Sequence, residues 1–282
     1  MIQPEQITDS CAFHAEGPIW DPIGECLRWV DMLAGDVLSM QPSDGKISRV
    51  HVGSVAAAIR PRERGGLVVA VERGFAVLGP DLHDVTTLPE VWSDTTVRMN
   101  DGATDPQGRF YCGSMAYDCA TGRGSLYRLD PDHTVTTVLT DVTISNGLAW
   151  RANDATALYV DSPTRRIDEL DFDAGAGTFT GRRPFVTIEV DGADPDGLVL
   201  DAEGGVWVAL WGGSVVHRYD DRGTLDEVVP LPARHVTACA LDHDGHLFIT
   251  TSADRDEGNP AAGAVFRADV GVAGLPIGAF AG

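Results

Sequence analysis

The chain has no run of about 18 or more apolar residues, so no segment reads as a membrane-crossing helix. Its opening Met1-Ile2-Gln3-Pro4-Glu5-Gln6 lacks the basic and apolar regions of a secretory signal, and a soluble, cytoplasmic protein is expected. Cysteine is sparse: Cys11, Cys26, Cys112, Cys119 and Cys239 are odd in number, scattered and without a C-x-x-C pair. That argues against a disulfide framework and a zinc ribbon, and fits a reducing compartment. Basic residues are scarce, with 21 Lys and Arg against 42 Asp and Glu, a net charge of −21. No sustained basic run exists to track phosphates, so neither nucleic acid nor an anionic membrane is expected as a partner. A Gly-x-Ser-x-Gly elbow is missing; Gly113-Ser114-Met115 and Gly124-Ser125-Leu126 do not fit it, which disfavours a serine hydrolase. No EF-hand loop is present either. Neither a linker nor a composition shift divides the 282 residues, so 1–282 read as a single domain.

What the chain does contain is a repeat. Four strings, His14-Ala15-Glu16-Gly17-Pro18, Arg98-Met99-Asn100-Asp101-Gly102, Ser145-Asn146-Gly147 and Pro195-Asp196-Gly197, each lead into a hydrophobic strand, a turn and a second strand. Glu16 to Asn100 spans 84 residues, two units of 42, and the next steps are 46 to Asn146, 50 to Asp196 and 41 to Thr237. Six such units, alternating with period two and punctuated by 32 glycines and 16 prolines, predict an all-β fold, a six-bladed β-propeller. Helical solenoids are excluded by the same punctuation. The turns Asp105 to Gly108, Asp201 to Gly204 and Asp242 to Gly245 read as structural hairpin turns, with Asp bonding its own backbone and Gly supplying positive φ. The stretch from Ile7 to Phe13 precedes the first unit and is expected to complete the last blade.

In a propeller, equivalent positions of successive blades surround one axis. Glu16, Asn100, Asn146 and Asp196 occupy such a position, just before the innermost strand, while units two and six place Ala56 and Thr237 there. The polar ring is therefore one-sided, a ligating face opposite a face for substrate. Two carboxylates with carboxamide oxygens are hard donors suited to Ca²⁺, Mg²⁺, Mn²⁺ or oxygen-ligated Zn²⁺. A single Asn-Gly or Asp-Gly is more often a turn than a ligand, but four polar residues in one register need a common reason. His14 is expected to pack or to support the ring, and Trp211 to wall the cavity.

Taken together, Glu16-Gly17-Pro18, Arg98-x-Asn100-Asp101-Gly102 with the following Asp-Pro-x-Gly-Arg and Gly-Ser-Met, Ile144-Ser-Asn-Gly-Leu-Ala-Trp150, and Pro195-Asp-Gly through Trp207-Val-Ala resemble the gluconolactonase, regucalcin and luciferin-regenerating-enzyme family. The resemblance runs from Glu16 to the strand ending at Phe266. It implies a metal site in the central channel holding one divalent cation, Ca²⁺ first and Zn²⁺, Mn²⁺, Mg²⁺ or Fe²⁺ as alternatives, on the residues matching Glu16, Asn146 and Asp196. It further implies that Arg98 and Asn100 contact substrate and that Asp196 is the acid/base. Where some relatives carry an acidic substrate-binding residue, this chain has Tyr117 followed by Asp118; Tyr117 would stack on a less polar ligand, or Asp118 would replace the acid.

The expected activity is metal-dependent hydrolysis of a sugar aldonolactone, of the gluconolactone or xylonolactone type, to the aldonic acid, through a metal-polarised carbonyl or a metal-bound water. The expected partner is thus a small sugar lactone, and the expected assembly a monomer or weak homodimer. Two alternatives stand beside this reading: a phosphotriesterase of the diisopropyl-fluorophosphatase type, and a non-catalytic, regucalcin-like calcium-binding protein.

Overall fold

The computed structural model describes residues 2–41 and 43–282. Six four-stranded antiparallel sheets follow one another around a ring. Blade one is Ala15–Asp21, Cys26–Asp31, Asp36–Met40 and Ile47–His51. Blade two is Ala56–Pro61, Leu67–Val71, Gly74–Leu78 and Val85–Thr87, and blade three Val97–Thr104, Phe110–Ala116, Gly124–Leu129 and Val135–Val142. Blade four is Ser145–Trp150, Thr156–Asp161, Arg166–Asp173 and Thr178–Thr187; blade five is Asp194–Leu200, Val206–Trp211, Val215–Tyr219 and Leu225–Pro230. Blade six takes His235–Leu241, His246–Ser252 and Val265–Asp269 from its own repeat and Glu5–Gln6 from the start of the chain.

Burial falls from the axis outward. The innermost strand Val97–Thr104 is buried along its whole length, whereas the outermost strand Val85–Thr87 is exposed throughout. The second strands therefore read as near-continuous apolar runs, as in Leu67–Val71 and Val206–Trp211, and the outermost ones as polar, because only the strands inside the ring are covered on both faces. Large side chains such as Trp29, Tyr111, Tyr159 and Trp207 are fully buried in the blades. At about 25 cal/mol per Å² of apolar surface, such burial is the main favourable term in folding.

The Asp-led turns are structural, as the sequence suggests. Asp201 Oδ1 accepts the backbone N–H groups of Glu203 and Gly205, and its Oδ2 accepts Trp207 Nε1 and Arg218 Nε. Asp105 makes the same turn bonds to Gln107 and Arg109.

Three expectations need correction. The strand that closes the last blade is Glu5–Gln6, with Glu5 opposite Arg267 and Gln6 opposite Phe266; of the expected 7–13, only Ile7 continues the pairing, through its N–H to Val265 O. The ladder ends because Thr8 Oγ1, not a backbone carbonyl, accepts Val265 N–H, after which Cys11 and Ala12 both donate to Gly263 O. Second, the ring residues lie within the innermost strands, not before them. Each strand carries a β-bulge there, between Met99 and Gly102, Ser145 and Leu148, and Pro195 and Leu198, and a bulge re-aims a side chain out of the pleat. Third, the bulge of blade two falls between Ala56 and Ala58, so Ala57 rather than Ala56 takes the ring position, with Thr237 at the corresponding bulge of blade six.

The C-terminal stretch has no counterpart in the repeat. It crosses the face where the inner strands end: Leu275 N–H bonds Leu200 O, Phe280 N–H bonds Pro61 O and Ala281 N–H bonds Gly108 O. Phe280 is fully buried.

Candidate functional site

The ring residues open onto the other face, where the inner strands begin. Glu16, Asn100, Asn146 and Asp196 are all buried, and all line one cavity of about 440 Å³ together with Arg98 and Tyr117. Asp118 does not line it. It is exposed, and its Oδ1 accepts Ala120 N–H within a turn, so a short Asx-type turn claims the carboxylate. Tyr117 stands at the rim with its hydroxyl on Glu72 Oε1 at 2.7 Å and its ring 5.8 Å from the Arg98 guanidinium carbon.

Each inner side chain is held differently. Asn146 Nδ2 donates to Ser162 Oγ at 2.9 Å, and Ser162 Oγ donates to Pro195 O at 2.7 Å. That fixes the amide and leaves Asn146 Oδ1 buried with no partner among the described residues. An orphaned buried carbonyl costs about 1–3 kcal/mol unless something occupies it. Asn100 contrasts with it. Its Nδ2 donates to Ser145 O at 2.9 Å and its Oδ1 accepts Arg98 Nη1 at 2.7 Å; one N–H and one lone pair remain for a bound molecule. Arg98 Nη1 also donates to Met99 O at 2.9 Å. Glu16 Oε2 accepts Gly17 N–H at 2.7 Å.

The electrostatics are those of crowded buried acids. Burial, and then the charge of Asp101, push the Glu16 carboxyl up to about 8. Burial first, and then Glu16 and Asp101, raise Asp196 well above the carboxylate range, while Arg98 pulls it down. Asp101 is itself raised by burial and relieved by Arg60. Like charges in low dielectric cannot all ionise without a compensating cation. Two carboxylates and a free carboxamide oxygen, without thiolate or imidazole among them, fit a hard divalent cation.

Asp101 carries no role in the sequence reading, although an acid directly before glycine in a ring string repeats the Glu16-Gly17 pattern. Its Oδ1 accepts Gly102 N–H at 2.7 Å, the equivalent of the Glu16 bond. Ser162 gives no sequence signal beyond a hydroxyl just after a blade's second strand. Trp211 walls the cavity as expected, but His14 does more than pack, because it lines the cavity directly. A separate trio, Asp242, Asp244 and His246, brings three ligand atoms within 4.8 Å of one another. It sits in the blade-six hairpin turn, at the opposite end of the inner strand. Asp242 Oδ1 accepts both Asp244 N–H and His246 N–H, and its Oδ2 faces His246 Nδ1 at 2.8 Å. Those contacts explain the trio as turn chemistry.

The chain is similar to known proteins along nearly its whole length. The family described as SMP-30/Gluconolactonase/LRE-like region matches residues 14–271. Regucalcin of Xenopus laevis is 34% identical over 282 aligned residues, covering 95% of this chain and 94% of that protein. Among solved structures, a luciferin-regenerating enzyme superposes with a TM-score of 0.91 at 29% identity, covering 100% of both chains. A regucalcin of Agrobacterium tumefaciens, described as a calcium-binding protein, gives 0.90 at 25% identity over 99% of this chain and 98% of its own.

Proposed function

Because this chain belongs to the SMP-30/gluconolactonase/LRE-like family, we propose that it is a lactonase opening a sugar aldonolactone with the help of one divalent cation held by Glu16, Asn146 and Asp196. The observation that carries this reading is Asn146 Oδ1. It is a buried acceptor without a partner, fixed by Ser162 in the same cavity as two carboxylates that burial discourages from ionising. A cation answers both costs at once. Ca²⁺ suits an all-oxygen set best, in line with the calcium-binding description of the Agrobacterium tumefaciens regucalcin.

When bound, the cation supplies Lewis-acid polarisation of the lactone carbonyl. The chain's own residues do the rest. Arg98 turns its unused N–H groups to the substrate's ring oxygen or hydroxyls, and the bond from its Nη1 to Asn100 Oδ1 holds its planar fork in place. Asn100 adds its remaining N–H. Asp196 takes a proton from the attacking water at a carboxylate oxygen as the new C–O bond forms. It returns that proton to the ring oxygen as the old C–O bond breaks, and the product is the open hydroxy acid. No covalent enzyme intermediate is required.

The test is metal analysis of purified protein, with turnover of glucono-δ-lactone, xylonolactone and diisopropyl fluorophosphate before and after chelation. Lactone hydrolysis that disappears with the cation and returns with it is expected. Faster turnover of the fluorophosphate would reverse the assignment. Tight Ca²⁺ binding without turnover of any lactone would favour a calcium-binding role instead.

A further inference from the structure

Two imidazoles flank Trp211 in the cavity wall, and they are not equivalent. His235 stacks on the indole with centroids 4.1 Å apart and planes at 25°. Both of its ring nitrogens are sealed from solvent and unpartnered, so it serves as a packing plate. His14 lies 5.7 Å from the same indole at 46°. Its Nδ1 is 2.8 Å from Ser252 Oγ, while its Nε2 has no partner among the described residues and is not among the sealed atoms.

Two proton arrangements fit the contact between His14 and Ser252. The Ser252 hydroxyl has one hydrogen to give. Its oxygen accepts Asp254 N–H at 3.0 Å, and its hydrogen has two acceptors within reach, His14 Nδ1 at 2.8 Å and Phe13 O at 3.4 Å. With the hydroxyl hydrogen on Phe13 O, the His14 proton sits on Nδ1 and Nε2 is a bare lone pair; with that hydrogen given to Nδ1, Nε2 carries the proton. His14 lines the cavity beside Arg98, Asn100 and Trp211. Arg98 and Asn100 offer donors there, so a molecule rich in hydroxyl groups needs an acceptor as well.

We propose that His14 is a specificity-determining residue whose Nε2 accepts a hydrogen bond from a hydroxyl of the bound lactone, while the Trp211 face packs against the C–H groups of the same ring. This rests on the lactonase reading and assigns the residue that reads the hydroxyl groups of its sugar lactone. Sites that hydrogen-bond a substrate hydroxyl discriminate strongly against analogues lacking it, because the buried acceptor is then left unpaired. Trp211, clamped by His235, keeps the wall rigid enough for this discrimination.

The test compares glucono-δ-lactone with δ-valerolactone, the same ring without hydroxyls. His14→Leu is expected to lower kcat/KM for the sugar lactone about fivefold to tenfold more than for δ-valerolactone, mostly through KM. His14→Gln, whose side-chain oxygen is also an acceptor, should keep most of the preference. Calorimetric Ca²⁺ affinity, measured on each variant, separates this effect from damage to the cation ligands. Equal losses on both lactones with Ca²⁺ affinity retained would overturn the assignment. Wild-type protein that turns over neither lactone would instead overturn the lactonase reading, and this inference with it. A readout independent of activity, and of whether His14→Leu folds, is the ¹⁵N spectrum of the wild-type His14 ring. The proton is expected on Nδ1, and finding it on Nε2 refutes the proposal.

Discussion

In the proposed reaction Asp196 would move a proton while touching a cation, and those two duties conflict, since a bound dication favours the charged carboxylate and weakens it as a base. Asp196→Asn, kept cation-loaded by excess Ca²⁺, is expected to lose at least about a hundredfold in kcat; near-normal turnover would remove Asp196 from the proton transfer. Glu16 gives a prediction with a definite sign. Its carboxyl is raised from an ordinary 4.5 to about 8 in the folded chain, so between those values the folded protein holds a proton that the unfolded chain has released. Stability in the absence of a cation is then fully present below about 4.5 and is lost as pH rises through about 8, by on the order of a few kcal/mol. Melting in chelator should therefore fall from pH 5 to 8.5, and saturating Ca²⁺ should flatten that slope. A Tm that climbs with pH in chelator contradicts the arrangement. At this scale the sequence reveals which residue types share a register, because Glu16, Asn146 and Asp196 recur in matching strings. It does not reveal Asp101, whose importance comes from burial beside Glu16, nor the different hydrogen-bond states of Asn100 and Asn146, which depend on Arg98 folding back onto its neighbour Asn100 and on Ser162 reaching Asn146 from beyond the next strand.

The innermost strands explain why Asn-Gly and Asp-Gly here are not turns. A Cβ on Gly197 would meet Ala238 Cβ at 2.4 Å, and one on Gly147 would meet Leu198 Cγ at 2.6 Å and Asp196 O at 2.8 Å. Both contacts are with the inner strand of the next blade. Glycine is thus required by the close approach of neighbouring strands, and the bulge beside it turns the preceding side chain to the axis. Local sequence cannot separate this from a hairpin signal, since both use the same dipeptide. The hairpin turns at Asp105, Asp201 and Asp242 were legible because their physics is local, an Asp bonding backbone amides a few residues ahead. Gly197→Ala should destabilise the protein by about 1–3 kcal/mol through overpacking. It should also weaken Ca²⁺ binding, because pushing blade six away shifts Asp196. Denaturant melts and calorimetry would check both, and an unchanged Ca²⁺ affinity would show that the bulge tolerates displacement.

For the whole molecule, the spacing of the strings was enough to identify a six-bladed ring, since a period of this length with alternating strands has few other solutions. The way the ring is finished was not legible. Glu5–Gln6 is too short to carry a pattern, and the C-terminal stretch through Phe280 matches no repeat, although its backbone reaches blades five, three and two. Both depend on contacts between distant parts of the chain. Removing 275–282 is expected to lower Tm by several degrees, because Leu275, Ile277 and Phe280 would give up their packing. Because the cation would sit on the opposite face, Ca²⁺ affinity should change little, and a large loss would mean that the two faces are coupled.

One joint closes this structure without a covalent link: two residues of an early segment, Glu5 and Gln6, are zipped onto blade six by strand pairing. A few residues later the same segment runs through His14 into the strand that carries Glu16, with His14 bridged to Ser252 across that joint. An ion gripped by blades one, four and five would act as a rivet beside the hinge of a clasp. At about one hundred times Kd it would add roughly 2.7 kcal/mol against any opening that separates them. Amide exchange at Ile7 and Cys11 would then serve as a gauge of occupancy, slow when the rivet is in and fast when a chelator draws it out, in residues that never touch the ion themselves.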